Sequence, residues 1–311
     1  MQGVFAKRAL VLVVAVMLTA AAHARLDTRS AAEAGVLQVP SPSYAKLLAL
    51  GFEPVLADYY WVQGLQLVGG SQGPLGERAH TVGDLIDVVT TLDPWVDHPY
   101  RFAALWLNES PEQVARGNGL LRRGIERHPG EWRNRFYLGF NQFFYQGQNA
   151  AAAATLEPAI DLPGAPPYLG ALVARLRAEG GDLDVAAAFL AERLEGSHDE
   201  GLRARYRASL AEIETERRAR WLDSARDRFN ERHGRDIRTP QELWTGATTV
   251  VDRAPAAHPD DADASWQLDE HTGEIVSSHY GKRYRLHMQP QDVARQRQWL
   301  ENTQPREESG E

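Results

Sequence analysis

Residues 132–163 read WRNRFYLGFNQFFYQGQNAAAAATLEPAIDLP and form the clearest structural unit in the sequence. Two apolar segments of about a dozen residues flank Gly147, and glycine is the residue that most readily ends a helix or forms a tight turn. Pro163 ends the second segment, because proline has no amide N–H and a fixed φ. The stretch therefore predicts two antiparallel helices joined by a short turn.

The same pattern recurs along the chain with a period of about 34 residues. Leu92-Asp93-Pro94, His128-Pro129 and Leu162-Pro163 each close an apolar helical stretch, at intervals of 35 and 34 residues. Gly147 and Gly181 are also 34 residues apart. Small residues recur where two helices must approach closely, and we expect them to be buried at helix crossings. They are Gly64, Ala104, Gly139 and Ala174 in first helices, and Gly124, Ala152, Ala159 and Ala186 in second helices.

The repeat resembles the tetratricopeptide repeat (TPR) family. That family combines a 34-residue period with an aromatic-x-x-Leu-Gly signature, alanine in the second helix and a final proline. Phe136-Tyr137-Leu138-Gly139, Ala152 and Pro163 match it, although Gly139 and Gly147 are eight residues apart where the family usually has seven. The resemblance covers residues 52–196 and implies an all-α, TPR-like α-solenoid of helical hairpins with a small C-terminal α+β extension.

The N-terminus is predicted to be an export signal. Lys7 and Arg8 precede an uncharged apolar run from Ala9 to Ala22, and Ala22-His23-Ala24 is a small-x-small cleavage pattern. Fourteen residues span about 21 Å as a helix, which is short of a bilayer core of about 30 Å. We therefore expect cleavage after Ala24 and an exported, periplasmic protein with no later spanning segment, with an uncleaved membrane anchor as the alternative.

The C-terminal third is predicted to differ from the repeats. Its charged, helically patterned segment from His198 to His233 indicates one capping helix or a helix pair, which Gly234 ends. Thr239-Pro240 begins a short helix, and Trp266–Leu268 and Ile275–Val276 flank a turn, with 280–286 as a third strand. The predicted segments are 1–24 (signal), 25–51 (N-terminal segment), 52–196 (repeats), 197–235 (cap), 236–300 (extension) and 301–311 (disordered tail).

Residue patterns for catalysis or metal binding are weak. The 42 acidic residues outnumber the 34 basic ones, which argues against nucleic-acid binding, and the chain has no cysteine. Gly69–Gly73 matches the G-x-S-x-G turn of serine hydrolases around Ser71, but Pro74 follows and no strand–helix alternation surrounds it. Asp260, Asp261 and Asp263 lack the glycine and glutamate of a calcium loop, and the eight-residue spacing of His271, His279 and His287 matches no zinc pattern. No metal or cofactor is expected.

The TPR resemblance implies a concave groove lined by the first helices, which holds a segment of a partner protein. Aromatic residues at helical spacing are also typical of the core between repeats, so Arg101, Asn108 and Arg133 are the stronger candidates. We predict a non-enzymatic periplasmic scaffold for protein–protein interaction that binds a protein or peptide in an envelope, secretion or pilus assembly. The alternatives are a serine hydrolase using Ser71 and a self-association module. The residues expected to line the groove are Trp61, Leu65, Arg101, Leu105, Asn108, Arg133, Phe136, Phe140 and Phe144.

Overall fold

The computed structural model describes residues 14, 17, 21, 38–70, 75–179, 182–286 and 288–303. The chain divides into two units, Met1–Ser41 and Pro42–Glu311. In the first unit Val14, Met17 and Ala21 are helical, while most of the predicted signal peptide and the cleavage position after Ala24 lie outside the described residues. Among the helices that are described, none has the length and apolar character needed to cross a membrane.

In the second unit, consecutive helices pack against each other as hairpins. The hairpins are α2 (Glu53–Gly69) with α3 (Leu75–Leu92), α4 (His98–Trp106) with α5 (Pro111–Arg127), α6 (Trp132–Phe144) with α7 (Asn149–Leu156), and α8 (Leu169–Glu179) with α9 (Leu183–Gly196). A short helix α1 (Pro42–Leu48) packs on α3, and neighbouring hairpins meet through α3 with α5 and α4 with α6. The predicted all-α, solenoid-like fold is confirmed.

Local sequence explains where several helices begin and end. Ser110 precedes Pro111 and accepts a hydrogen bond from the Gln113 amide at 3.3 Å, so α5 begins with a side-chain cap and proline in its first turn. Helix α10 (Glu200–His233) begins at the cap Asp199. It ends at Gly234, whose φ of +66° favours glycine. The charged segment after the repeats is therefore one 34-residue helix, which packs on α9.

The small residues of the repeats lie at helix crossings, as predicted. Ala152, Ala159, Ala174 and Ala186 are fully buried. A Cβ atom added to Gly139 would lie 2.7 Å from Cγ of Leu156, which is too close for carbon atoms. The close approach of α6 and α7 thus depends on the missing side chain. Gly124 meets Tyr100 in the same way, whereas a Cβ atom at Gly64 would lie 3.9 Å from Leu85, an ordinary contact.

The extension after α10 contains a 3₁₀ turn (Pro240–Leu243) and a two-stranded antiparallel sheet of β1 (Trp266–Leu268) and β2 (Ile275–Ser277), with Trp266 opposite Ser277. The buried residues Trp266 and Ile275 pack with Phe229 of α10. The predicted third strand at 280–286 is wrong. Gly281 has a φ of +64°, and the following residues turn towards α10.

A further helix, α11 (Pro290–Thr303), was not predicted. It extends three residues into the segment that was predicted to be disordered, and residues 304–311 lie outside the described part of the chain. The sequence gives little indication of α11, because only Val293, Trp299 and Leu300 are large apolar residues within it. Contacts with helices that are distant in the sequence hold α11 in place, and a local apolar pattern does not record such contacts.

Candidate functional site

Three of the predicted groove aromatics belong to the packing between helices. The Trp61 ring lies 4.9 Å from that of Phe102 and 5.3 Å from that of His98, so it joins α2 to α4. Phe136 packs against the core formed by α7, α8 and α9. Phe144 is only 2% exposed. These residues contribute to the interior, as periodic apolar residues commonly do.

The two predicted groove arginines share an acidic partner. Arg101 donates to Asp97 at 2.8 Å and lies 3.9 Å from Glu131, which also accepts from Arg133 at 3.1 Å. Burial tends to raise the pKa of Asp97, but the hydrogen bond and charge of Arg101 hold it below its ordinary value. Arg133 remains half exposed above the Trp132 ring, whereas Arg101 is mostly covered. Arg133 is therefore the more accessible of the two arginines, although its ion pair with Glu131 also holds it to the chain.

Phe140 and Asn108 lie close to the C-terminal ends of α6 and α4. Phe140 is partly exposed and stacks on Phe144, with ring centroids 5.2 Å apart. The Asn108 side chain donates to the Leu105 carbonyl at 3.2 Å. Asn108 also borders a cleft of about 380 Å³, and the residues that line it are Asn108, Glu109, Tyr145, Arg295, Gln298 and Trp299. The chain's own helix α11 therefore supplies one wall of this cleft.

The two other residues predicted to face inward are exposed. Leu65 of α2 is 41% exposed and Leu105 of α4 is 51% exposed. Neither belongs to the buried clusters of the repeats. Isolated exposed leucines are common on protein surfaces, so they do not by themselves define a binding site.

A larger apolar surface lies at the start of the helical array, and it is formed by residues that were not among the predicted groove residues. Helices α1 and α2 and the short connection between them expose many large apolar side chains, including Leu50 at 83% and Val55 at 66%. We call this surface the N-terminal apolar face. It consists of Tyr44, Leu47, Leu48, Leu50, Phe52, Val55, Tyr59 and Val62. The spacing of Phe52, Val55, Tyr59 and Val62 indicates one apolar face of a helix, and the sequence contains this signal. The spacing does not show whether another part of the chain covers that face.

The acidic and histidine residues around position 260 form an internal hydrogen-bonded cluster. His258 Nδ1 accepts from the Asp260 amide at 3.0 Å, which places its proton on Nε2, where it donates to the Tyr280 hydroxyl at 2.8 Å. The His258 ring stacks on the His279 ring, with ring centroids 4.0 Å apart, and His279 Nδ1 lies 2.7 Å from Oδ2 of Asp261. Among the described residues, no group of three or more side chains is placed to bind a metal ion.

This cluster predicts loss of stability in mild acid. Burial, and then the neighbouring His279, lower the pKa of His258, and protonation would also remove the acceptor for the Asp260 amide. A base with a lowered pKa in the folded state loses stability as the pH falls below its unfolded pKa of about 6.5. We expect the melting temperature to fall between about pH 7.5 and pH 5.5, and to fall less in the His258→Asn variant. An equal fall in both proteins would contradict the assignment.

Ser71, the predicted hydrolase nucleophile, lies outside the described residues, as do Gln72 and Gly73 of the same motif. Gly69 and Gly70, which begin the motif, end helix α2. A helix therefore precedes the motif, whereas the hydrolase turn requires a strand at that position.

Comparison with known proteins gives little further guidance. The chain matches no protein-family profile and no curated protein. Among solved structures it is similar to a thermophilic TPR protein of Thermus thermophilus, with 21% identity over 55% of this chain and 99% of that chain. The TM-score is 0.29, too low to carry an argument about fold or function. The assignment of a solenoid-like fold therefore rests on the helix pairing seen in the structure itself.

Proposed function

We propose that this chain is a non-enzymatic helical-repeat scaffold of the bacterial cell envelope that binds a protein partner through its N-terminal apolar face. The observation that carries the proposal is the exposure of eight large apolar side chains on α1, α2 and their connection. Soluble proteins rarely leave such a surface uncovered unless another molecule binds there. The occupant that fits best is an amphipathic helix or helical hairpin of a partner protein.

The geometry of α2 supports a helical occupant. Phe52, Val55, Tyr59 and Val62 follow one another at separations of three, four and three residues, which places them on one stripe of the helix. Other sides of α2 pack on its partner helix α3, where Gly64 approaches Leu85, and on the following hairpin, where Trp61 contacts Phe102. The stripe thus occupies the position at which a preceding hairpin would stack in a longer array.

The size of the face is sufficient for a specific complex. An aromatic side chain buries roughly 150–250 Å², and leucine and valine bury less. Three aromatic and five aliphatic side chains that are about half exposed or more therefore offer on the order of 800 Å². One partner in a stable protein complex contributes about that area. Lys46 is exposed within α1, and Glu53 begins α2, so the surroundings are polar and of mixed charge. An apolar centre with a polar surround is the usual composition of a binding interface.

The proposed location rests on the N-terminal sequence. A basic start, an apolar run of fourteen residues and Ala22-His23-Ala24 support export, and the absence of cysteine fits a protein that folds without disulfides. We therefore propose that the partner is a component of an envelope, secretion or pilus assembly. A second copy of this chain is the competing occupant. Light scattering on the purified protein distinguishes a partner protein from a second copy.

We expect the paired substitution Val55→Glu and Tyr59→Glu to reduce partner capture at least about tenfold, because two charges would be buried at the centre of an apolar interface. The matched control is Val185→Glu with Tyr168→Glu, since both residues are also exposed, and Val185 lies in the last hairpin with Tyr168 directly before it. Capture from native envelope extracts is measured by quantitative mass spectrometry, with light scattering on the purified proteins. Unchanged capture, or an equal loss in both pairs, would refute the proposal. A concentration-dependent dimer abolished only by the first pair would assign the face to self-association instead.

A further inference from the structure

Helix α11 crosses the ends of α4 and α6 and makes directional contacts there. Gln296 Nε2 donates to the carbonyl oxygens of Phe143 at 3.4 Å and Phe144 at 3.0 Å. Trp299 Nε1 donates to the Asn108 carbonyl at 3.3 Å, and its ring lies 5.2 Å from that of Tyr145. Contacts between residues about 150 to 190 positions apart in the chain thus fix where α11 lies.

The surface beneath α11 favours side chains that donate hydrogen bonds or carry positive charge. The carbonyl groups of Phe143 and Phe144 are at the C-terminal end of α6, where a helix carries partial negative charge. The Phe143 carbonyl also accepts from the Gly147 amide at 3.2 Å, so the Phe144 carbonyl is the main acceptor for α11. Glu109 adds a carboxylate to the same cleft. We call this the end surface, formed by Asn108, Glu109, Phe143, Phe144 and Tyr145.

The side chains of α11 match this chemistry. Arg295 lies over the Phe144 ring, 5.2 Å from its centroid, as expected for a cation–π contact. Gln296 supplies an amide donor, and Trp299 supplies both an indole N–H and an aromatic ring. These three residues lie on adjacent turns, so the end surface recognises one face of a helix.

The attachment of α11 is weak compared with that of the repeat helices. None of its residues whose side chains are described is buried, and Val293 is 37% exposed. Trp299 is the α11 residue that packs with the cluster of Val114, Phe144 and Tyr145. Segments with so little buried apolar surface open at a small free-energy cost.

We propose that the end surface is a binding site for an aromatic amphipathic helix of a partner protein that carries a cation on its contact face, and that α11 is the intramolecular occupant which such a helix displaces. The site is separate from the N-terminal apolar face, so it extends the proposed function. The occupant is read from α11 itself, with a cationic side chain at position 295, an amide donor at 296 and an aromatic donor at 299.

The tether makes α11 a strong competitor despite its few contacts. A segment attached by a short linker acts at an effective concentration in the millimolar range. A free helix with the same contacts and at micromolar concentration therefore binds the intact chain poorly. Weakening α11 removes this competition and raises the apparent affinity for an added helix.

The test uses the full-length chain and a labelled synthetic peptide of residues 288–303. We expect the peptide to bind the Trp299→Ala protein about tenfold or more tighter than the unaltered protein, as measured by fluorescence anisotropy. A peptide carrying Trp299→Ala itself should bind neither protein. Arg295→Glu serves as a second variant that releases α11, because Arg295 is mostly exposed and its replacement leaves the interior unchanged.

Charge reversal on the end surface provides an independent readout. Glu109→Lys, added to the Trp299→Ala protein, should weaken peptide binding several-fold and reduce its salt dependence. Glu126→Lys is the control, because Glu126 is exposed near the other end of α5. Equal peptide affinity for the unaltered and Trp299→Ala proteins, or no binding to either variant, would overturn the proposal. Neither result bears on capture through the N-terminal apolar face.

Discussion

Replacing Arg283 by methionine is expected to lower the free energy of unfolding by about 3–5 kcal/mol, because it leaves a buried carboxylate without its main partner. Arg283 Nε and Nη2 donate to the two oxygens of Glu216 at 2.8 and 3.0 Å, and Nη1 donates to Asp223 at 2.8 Å. The side chains of Arg283 and Glu216 are only 10% and 6% exposed. The ion pairs of Arg283 with Glu216 and Asp223 join the C-terminal extension to the middle of α10.

The same interaction gives a defined pH dependence. Burial tends to raise the pKa of Glu216, but hydrogen bonds from Arg283, together with those from Arg220 and the Tyr284 amide, hold it below its ordinary value. An acid with a lowered folded-state pKa stabilises the protein above its unfolded pKa, and this contribution is lost as the pH falls towards the folded value. The unfolded pKa of a glutamate is about 4.3, so between about pH 5 and pH 3 the Arg283→Met protein should lose less stability than the unaltered chain.

Two controls separate the buried pair from a general effect of removing arginine. Arg285, two residues after Arg283, forms an exposed ion pair with Glu274, and we expect Arg285→Met to change the free energy of unfolding by less than about 1 kcal/mol. Combining Arg283→Met with Glu216→Gln should recover part of the loss, since the unpaired charge is gone. The free energies of unfolding of Arg283→Met, Arg285→Met and the double variant are measured by urea unfolding, with circular dichroism as the signal. Equal losses for Arg283→Met and Arg285→Met would show that burial does not strengthen the Glu216 pair.

The repeats were predictable because their determinants are local and periodic. Prolines that end helices and small residues such as Gly139 and Ala174 recur at fixed intervals, and each constrains its own neighbourhood. The helical character and the end of the segment from Glu200 to His233 were also visible in its apolar spacing and its final glycine, although the prediction left one helix or a helix pair open. These features need no knowledge of distant contacts.

The surfaces were not predictable, because exposure depends on which parts of the chain meet. Val55 and Tyr59 have the spacing of a packed helix face, yet nothing in the described structure covers them. Phe144 was expected to face a partner and is instead beneath Arg295 of α11. Arg283 was expected in a strand, but its ion pair with Glu216, which is 67 residues away, favours a turn. Each difference arises from a long-range contact that a local pattern does not contain.

The close packing of α4 and α5 predicts opposite effects for two glycines of one helix. A Cβ atom at Gly124 would lie 2.9 Å from Cβ of Tyr100 and 3.1 Å from the Asn134 side chain, whereas a Cβ atom at Gly119 would contact nothing within 4 Å. Gly124→Ala should destabilise the protein by about 1–3 kcal/mol, because Tyr100 is buried and its Cβ cannot move without the backbone. Gly119→Ala should stabilise it by up to about 1 kcal/mol, through helix propensity alone.

Both substitutions add the same methyl group to α5, so both carry the same gain in helix propensity. The difference between their free energies of unfolding therefore measures the cost of separating α4 from α5. Urea unfolding of the two variants measures that difference directly. A destabilised Gly124→Ala protein with a stabilised Gly119→Ala protein means that the hairpin requires contact between the two helix backbones. Similar stabilities would mean that the hairpins can separate by the width of a methyl group at little cost, and that the 34-residue recurrence of small residues does not arise from packing.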